Sequence, residues 1–297
     1  MNMARIKGLL MMGNILTGTD GDDDITGGYL PDLLRGANGD DTIHGLGGRD
    51  TIYGGSGDDT LYGDDGEDTI YGGADNDHIE GGANDDTLYG DGGNDTFVDF
   101  KGNNTIDGGT GRDTVDYSEF FGGHVRVDLM TGEGIRYSQI AVAGPDGTRS
   151  DVYFEVDGID QLTSIENVTG GAGIDYLLGN NSSNFLNGGA GQDSLTGRGG
   201  ADYFIFSSVA DTRGDMITDF DLMDQIVLSQ IDARTDVAGD QAFGFVDRFT
   251  GHSGELVLSK FPLSAFLQGD VDGDGAADFA INITGDMAHL TASSFIL

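Results

Sequence analysis

The sequence contains no cysteine. That excludes disulfides, zinc–thiolate centres and cysteine nucleophiles together, and it is compatible with an exported chain. Basic residues are scarce: 14 Lys and Arg stand against 52 Asp and Glu, a net charge of −38. Such a chain cannot neutralise a phosphate backbone, so no nucleic-acid partner is expected. No run of about 18 apolar residues occurs, so no transmembrane segment is expected. There is no His-Glu dipeptide and hence no H-E-x-x-H zinc site, nor a G-x-S-x-G nucleophile elbow. His44, His78, His124, His252 and His289 are scattered and read as isolated surface or turn residues.

What is abundant is equally one-sided. Glycine is 53 of 297 residues, more than double the usual share of about 7%. Aspartate supplies 45 of the 52 acids. Composition alone would suit a disordered acidic tail, but 37% of the residues are hydrophobic, and many of these recur at a fixed interval.

That interval is nine. From Gly18 a glycine opens each unit through Gly27, Gly36, Gly45, Gly54, Gly63, Gly72, Gly81, Gly90 and Gly108, with Asp99 as the one departure. The sixth position reads Asp23, Asp32, Asp41, Asp50, Asp59, Asp68, Asp77, Asp86, Asp95, Asn104 and Asp113. The eighth reads Ile25, Leu34, Ile43, Ile52, Leu61, Ile70, Ile79, Leu88, Phe97, Ile106 and Val115. A second block opens at Gly170, Gly179, Gly188 and Gly197, with Asp175, Asn184, Asp193 and Asp202 sixth and Leu177, Leu186, Leu195 and Phe204 eighth. In degenerate form the frame runs back through Glu166/Val168 and Asp157/Ile159.

The divisions are a lead at 1–17, a first block at 18–116, a β-rich insert at 117–169, a second block at 170–205 and a compact β-rich region at 206–297. In the insert, Val125–Leu129 and Val152–Val156 alternate like exposed strands. In the lead, Arg5 and Lys7 precede Gly8-Leu9-Leu10-Met11-Met12. This is a weak secretory-signal pattern, interrupted by Asn14 and lacking a small-x-small cleavage site. A start at Met11 or Met12 reads equally well.

The unit G-G-x-G-x-D-x-U-x predicts an all-β chain wound as a parallel roll. Glycines allow the tight turn. The apolar residue of a very short strand points inward, its neighbours outward. Two units complete one coil, so coils stack about 4.8 Å apart and the aspartates line up as columns of like charge. Hard oxygen ligands, carboxylate plus turn carbonyl, suit Ca²⁺ better than Mg²⁺, and the lack of Cys and near-lack of His in the rows disfavours transition metals. Calcium binding then becomes folding free energy. Separately, Asp270, Asp272, Asp274 and Asp278 follow D-x-D-x-D-G with an acid at the ninth position, the opening of an EF-hand-like loop. Ile281 stands where the bidentate Glu belongs. A further calcium site and a plain acidic turn are both compatible with it.

The eleven units from Gly18 to Asp116 resemble RTX (repeats-in-toxin) proteins. The resemblance implies a parallel β-roll holding roughly ten Ca²⁺ ions. The ligands would be the sixth-position aspartates and loop carbonyls such as those of Gly54, Gly57, Gly72, Gly81, Gly188 and Gly191. Asn104, Asn184 and Asp99 depart from the motif. Residues 161–297 resemble the C-terminal region of serralysin-type metalloproteases. The matching stretches are Thr163–Gly170, Gly200–Phe206, Leu228–Ala233 and Leu267–Gly275. That resemblance implies type I secretion, an uncleaved C-terminal signal ending in Ser294-Phe295-Ile296-Leu297, and an extracellular location. Ser294 stands where an acidic residue is frequent.

The expected function is a secreted, non-enzymatic calcium-binding protein that folds on meeting calcium after export. Competing readings are a host-interaction protein like nodulation RTX proteins, a polysaccharide-binding matrix protein, and the non-catalytic half of an enzyme. Paired acids such as Asp22-Asp23 fall in the repeat frame, so calcium ligation explains them better than glycosidase chemistry. Tyr53, Tyr71 and Tyr89, eighteen residues apart beside Thr51, Thr69, Thr87 and Thr105, should form a ladder. It could grip a glycan or simply stabilise the sheet.

Overall fold

The computed structural model describes residues 4–8, 13–98, 101–121, 123–143, 150–239 and 241–297. Leu9–Met12 and the Asp99 departure lie outside them. The chain is all-β, and its contacts divide it into two units: Met1–Glu119 with Thr131–Asn167, and Phe120–Met130 with Val168–Leu297.

The first unit is a parallel β-roll. One sheet takes Ala4–Lys7, Asp23–Thr26, Thr42–His44, Thr60–Tyr62, His78–Glu80, Thr96–Phe97 and Thr114–Asp116 in order. The other takes Ile15–Thr17, Leu33–Asn38, Thr51–Ser56, Thr69–Ala74, Thr87–Gly93 and Thr105–Asp107. Within the repeats each strand pairs with the one eighteen residues on, as in Ile52↔Ile70↔Leu88. The nine-residue frame thus places successive units on alternate sheets, and both sheets send one apolar residue per coil inward. Ile25, Ile43, Leu61, Ile79, Phe97 and Val115 face Leu34, Ile52, Ile70, Leu88 and Ile106, all fully buried.

This core is a single file per sheet, so no neighbour can slide into a gap. Leu61 is held between Ile43 and Ile79 in register. Leu61→Ala is therefore expected to cost about 2–5 kcal/mol, measured by denaturant unfolding in saturating calcium. A cost below about 1 kcal/mol would mean that the coils repack.

Two glycine positions serve different ends. At the fourth position Gly57 has φ +120°, a backbone state that L side chains rarely adopt. At the first position Gly54 has no such torsion; a Cβ there would lie 2.6 Å from the Gly72 carbonyl oxygen and closer still to Asp59 Oδ2.

The insert divides between the units. Glu133–Ala143 and Ser150–Thr163 form an antiparallel hairpin whose base continues the roll, pairing Thr105–Asp107 with Gln161–Thr163 in parallel. In it Phe154, Glu155 and Val156 are exposed, while the side chains of Val152 and Tyr153 lie outside the described ones. The other expected exposed strand is not: Gly123–Asp128 pairs in parallel with Tyr176–Leu178, and Val125 and Val127 are fully buried. Its alternation marks a core face rather than a solvent face.

In the second unit the coil outlasts the sequence repeat. Ser194–Thr196 pairs with Arg213–Phe220, and Tyr203–Ile205 with Gln225–Val227, both in parallel. Gln225–Val227 in turn pairs with Phe295–Ile296. Beyond Arg213–Phe220 the sheet takes Phe279–Gly285, then Ser264–Asp270 and Glu255–Lys260 in antiparallel order.

The outward ladder in the first unit is formed. Tyr53, Tyr71 and Tyr89 stack at 4.8 and 4.9 Å with their planes within 8° of parallel, and Arg35 lies 5.5 Å from the Tyr53 ring centroid. His44 is not isolated, because it stacks on Tyr62 at 4.4 Å and its Nδ1 lies 3.4 Å from Asp64.

Candidate metal centre

The sixth-position aspartates are buried, although Asp is a residue that ordinarily stays in water. Their two carboxylate oxygens do different things. Oδ1 accepts the backbone N–H of the row residue one coil earlier. In the first unit this links Asp23 to Asp41, Asp41 to Asp59, Asp59 to Asp77 and Asp77 to Asp95 at 2.8–2.9 Å. A second row links Asp32 to Asp50, Asp50 to Asp68 and Asp68 to Asp86 at 2.7–2.8 Å. Asp95 continues to Asp113 at 2.9 Å, and Asp86 to Asn104 at 3.0 Å. In the second unit Asp175 is linked to Asp193 and Asn184 to Asp202.

Oδ2 is the informative atom. In Asp41, Asp50, Asp59, Asp68, Asp77, Asp86, Asp95, Asp113 and Asp193 it is buried with no hydrogen-bond partner. Leaving one buried polar atom unpaired costs about 1–3 kcal/mol, so nine need an explanation. Seven of the nine face a loop carbonyl: the point a Cβ on Gly45 would occupy is 2.6 Å from the Gly63 oxygen and closer still to Asp50 Oδ2. The carbonyls of Gly54, Gly72, Gly81 and Gly188 hold the equivalent place opposite Gly36, Gly54, Gly63 and Gly170. Gly57 and Gly191 sit at the fourth position of their turns. At the head of a row the oxygen is satisfied locally instead. Asp23, Asp32 and Asp175 accept the N–H of Thr19, Gly28 and Gly171 at 2.5–2.7 Å.

The electrostatics agree with the geometry. Without a cation, burial pushes Asp41, Asp68 and Asp113 up to about 6. Asp50, Asp59, Asp86 and Asp95 rise to about 7, and Asp77 and Asp193 to about 8. Removal of water from the charged form is the main cause, and neighbouring carboxylates add to it. Unpaired carboxylate oxygens facing carbonyl oxygens, with no nitrogen or sulfur donor, fit a hard divalent ion of calcium's size.

Row residues outside the nine-residue frame also appear. Asp193 N–H donates to Asp215 Oδ1 at 2.8 Å and Asp202 N–H to Asp224 Oδ1 at 3.0 Å, twenty-two residues on rather than eighteen. Asp215 Oδ2 is another buried oxygen without a partner. In the first unit Glu166 Oε2 accepts from Asp113 N–H, and Asp160 Oδ1 from Asn104 N–H, both at 3.0 Å. The degenerate frame therefore holds at Glu166/Val168, but Asp157/Ile159 is displaced. The row residue is Asp160 and its core partner Leu162, while Ile159 is 36% exposed. The signal that finds all four is an acid two residues before an apolar one: Asp160-Gln161-Leu162, Glu166-Asn167-Val168, Asp215-Met216-Ile217 and Asp224-Gln225-Ile226.

The EF-hand-like stretch converges in part. Carboxylate oxygens of Asp270, Asp272 and Asp278 lie within 4.8 Å of one another. Asp270 is buried and accepts N–H groups from Gly273 and Gly275 at 2.6 and 2.9 Å, and Asp278 accepts from Val271 at 2.7 Å. Asp274 is not in the cluster; it accepts from Ala276 N–H at 2.7 Å. Ile281 is buried in the strand Phe279–Gly285.

Comparison with known proteins agrees with this geometry. The RTX calcium-binding nonapeptide repeat matches at residues 26–61, 35–70 and 62–97. The peptidase M10 serralysin C-terminal family matches residues 104–297. No curated protein matches the chain. Among solved structures, the extracellular lipase LipA from Serratia marcescens is similar at 19% identity and a TM-score of 0.30. That match covers 78% of this chain and 40% of the lipase chain, so this chain spans less than half the length of that structure. With aspartate rows and turn geometry in place over the repeat matches, and a family match over residues 104–297, the chain belongs to the peptidase M10 serralysin C-terminal family and carries RTX calcium-binding nonapeptide repeats.

Proposed function

We propose that this protein is exported by a type I channel as a calcium-free chain, folds outside the cell as its aspartate rows take up calcium, and acts there without catalysis. The observation that carries the reading is the register of buried, partnerless Oδ2 atoms. The ligands are the sixth-position aspartates with the loop carbonyls opposite them, joined by Asp215; Asp270, Asp272 and Asp278 form a separate candidate site.

Coupling to export has its own support. Phe295 is buried, and Phe295–Ile296 is paired to Ile226 and Val227. A transport signal in Ser294–Leu297, whose Ile296 side chain stays exposed, therefore has its backbone and the Phe295 ring free only before the second unit folds. Low calcium would keep it so, because calcium uptake is folding free energy. The glycan reading draws no support from the tyrosine ladder. Rings stacked within 5 Å present their faces to one another, whereas a sugar would need those faces free. The ladder is assigned to cross-strand stabilisation. For a role in membranes, no described helix is long and apolar enough to cross one.

The test is co-expression with a type I exporter. Full-length protein should accumulate in the medium, and a chain lacking Thr291–Leu297 should stay in the cells. Equal export of both, or hydrolysis of casein, ester or glycan substrates by the purified protein, would refute the proposal.

A further inference from the structure

The second row of the first unit ends differently from its interior. Asn104 N–H donates to Asp160 Oδ1, as a row residue should. Yet Asp160 Oδ2 is not left without partners. It accepts from the Arg136 guanidinium and from the Tyr117 hydroxyl, the latter at 2.8 Å. Arg136 and Asp160 are both fully buried. The other terminal nitrogen of Arg136 donates to the carbonyl of Gly102, the fourth residue of the turn that holds Asn104. The Tyr117 ring lies 6.0 Å below the guanidinium. One buried positive group thus meets a row carboxylate's second oxygen and a loop carbonyl, the two kinds of oxygen that the row interior offers to an ion.

The residue before it in the row is an amide. Asn104 Nδ2 donates to the Lys101 carbonyl at 2.9 Å, so this coil has a donor where its neighbours have an anionic oxygen. The second unit repeats the association independently. Its amide-bearing row position is Asn184, in the turn opened by Gly179. There Arg198 binds both oxygens of Asp128, at 2.6 and 2.9 Å, and the Gly179 carbonyl at 2.6 Å. Both asparagines in the rows are therefore accompanied by an arginine bonded to a carboxylate and to a carbonyl of the same turn.

We propose that Arg136 and Arg198 are tethered cations that take the place of calcium at the two amide-bearing coils, so that these coils close without metal. Guanidinium suits the task because it remains charged when buried and its planar fork matches a carboxylate. An ion carried by the chain does not depend on free calcium. The amides complete the exchange by removing the negative charge that a second cation would have to balance. In the first unit the hairpin Glu133–Ala143 and Ser150–Thr163 then forms a metal-independent end, on which calcium-dependent coils can add one after another.

The inference rests on the rows being calcium rows, and full-length protein titrated with calcium alone separates the two. If the wild-type chain shows no calcium transition by circular dichroism, the proposed function has failed. If it does, Arg136→Met should raise the midpoint roughly threefold or more, because a buried carboxylate now needs an ion, and should add one calcium to the bound count. The double variant Arg136→Met/Asp160→Asn, which removes both charges, should bring the midpoint back to within about twofold of wild type. A single-variant midpoint within about twofold of wild type, or a double variant shifted as far as the single, would overturn the proposal. If the single variant does not fold at any calcium level, wild-type hydrogen exchange decides. Protection of Ile106 and Leu162 must appear at lower free calcium than that of Ile52 and Ile70; simultaneous or later protection rejects the idea.

Discussion

Stripping calcium from this protein at neutral pH is expected to abolish its β-sheet circular dichroism, and millimolar calcium is expected to restore it. Residues 18–116 carry 25 acidic and 4 basic residues, a net charge of −21. The decisive charges are those the fold stacks. In the first unit the partnerless oxygens run Asp41, Asp59, Asp77, Asp95, Asp113 in one row and Asp50, Asp68, Asp86 in the other. Each of these groups is raised well above the ordinary carboxylate range, chiefly by burial with its row neighbours adding repulsion, so holding it charged at neutral pH costs several kcal/mol. Across eight such groups the cost exceeds the about 5–15 kcal/mol by which whole domains are stable. Hydrophobic burial of one residue per unit cannot be relied on to outweigh that. A divalent ion between coils turns each repulsion into two attractions. A chelator titration followed by circular dichroism measures this, and an unchanged folded spectrum in metal-free neutral buffer would sink the mechanism.

Acid should replace calcium in part. In the calcium-free fold the row carboxylates are raised from 3.8 to between about 6 and about 8, chiefly by burial. Since the folded values exceed the unfolded ones, folding takes up protons. The stabilisation is present in full below the unfolded value and is lost as pH rises through that window. Metal-free protein should therefore gain β structure as pH falls from about 8 toward about 5, as the aspartates become neutral donors inside their rows. Adding calcium to the acid-folded, metal-free protein should then expel the protons its rows hold, detectable in weakly buffered solution. A metal-free chain equally unstructured across that range, together with proton-silent calcium binding, would contradict the burial of these groups.

The repeat was legible because one nine-residue unit fixes three properties at once: a turn, an inward apolar residue and a buried acid. Ile52, Ile70 and Leu88 are in register because nothing interrupts the period between them. Where the period breaks, the reading loses its place. Asp215 and Asp224 stand twenty-two residues beyond their row partners, since the turn around Ala210–Thr212 lengthens the connection. Asp157 was the residue the frame selected, yet Asp160 is buried, because an antiparallel hairpin returns to the roll with its own register. Val125 and Val127 alternate with polar residues whichever face is covered, so burial was not visible in their pattern. Asp274 keeps the EF-hand spacing but turns to Ala276, and with Ile281 drawn into a strand the loop never closes around it.

By itself the sequence determined the roll, its eighteen-residue coil and the acid rows, because these follow from local periodicity and the sign of the charge. Which oxygens lack partners, and which coils carry their own cation, only the tertiary structure decided. Arg136 is 32 residues from Asn104 in the chain and reaches that coil through a hairpin. No periodic pattern encodes the contact. The physical reason is that a repeat specifies how each coil meets the next, whereas the end of a row is closed by whatever distant segment the fold brings to it.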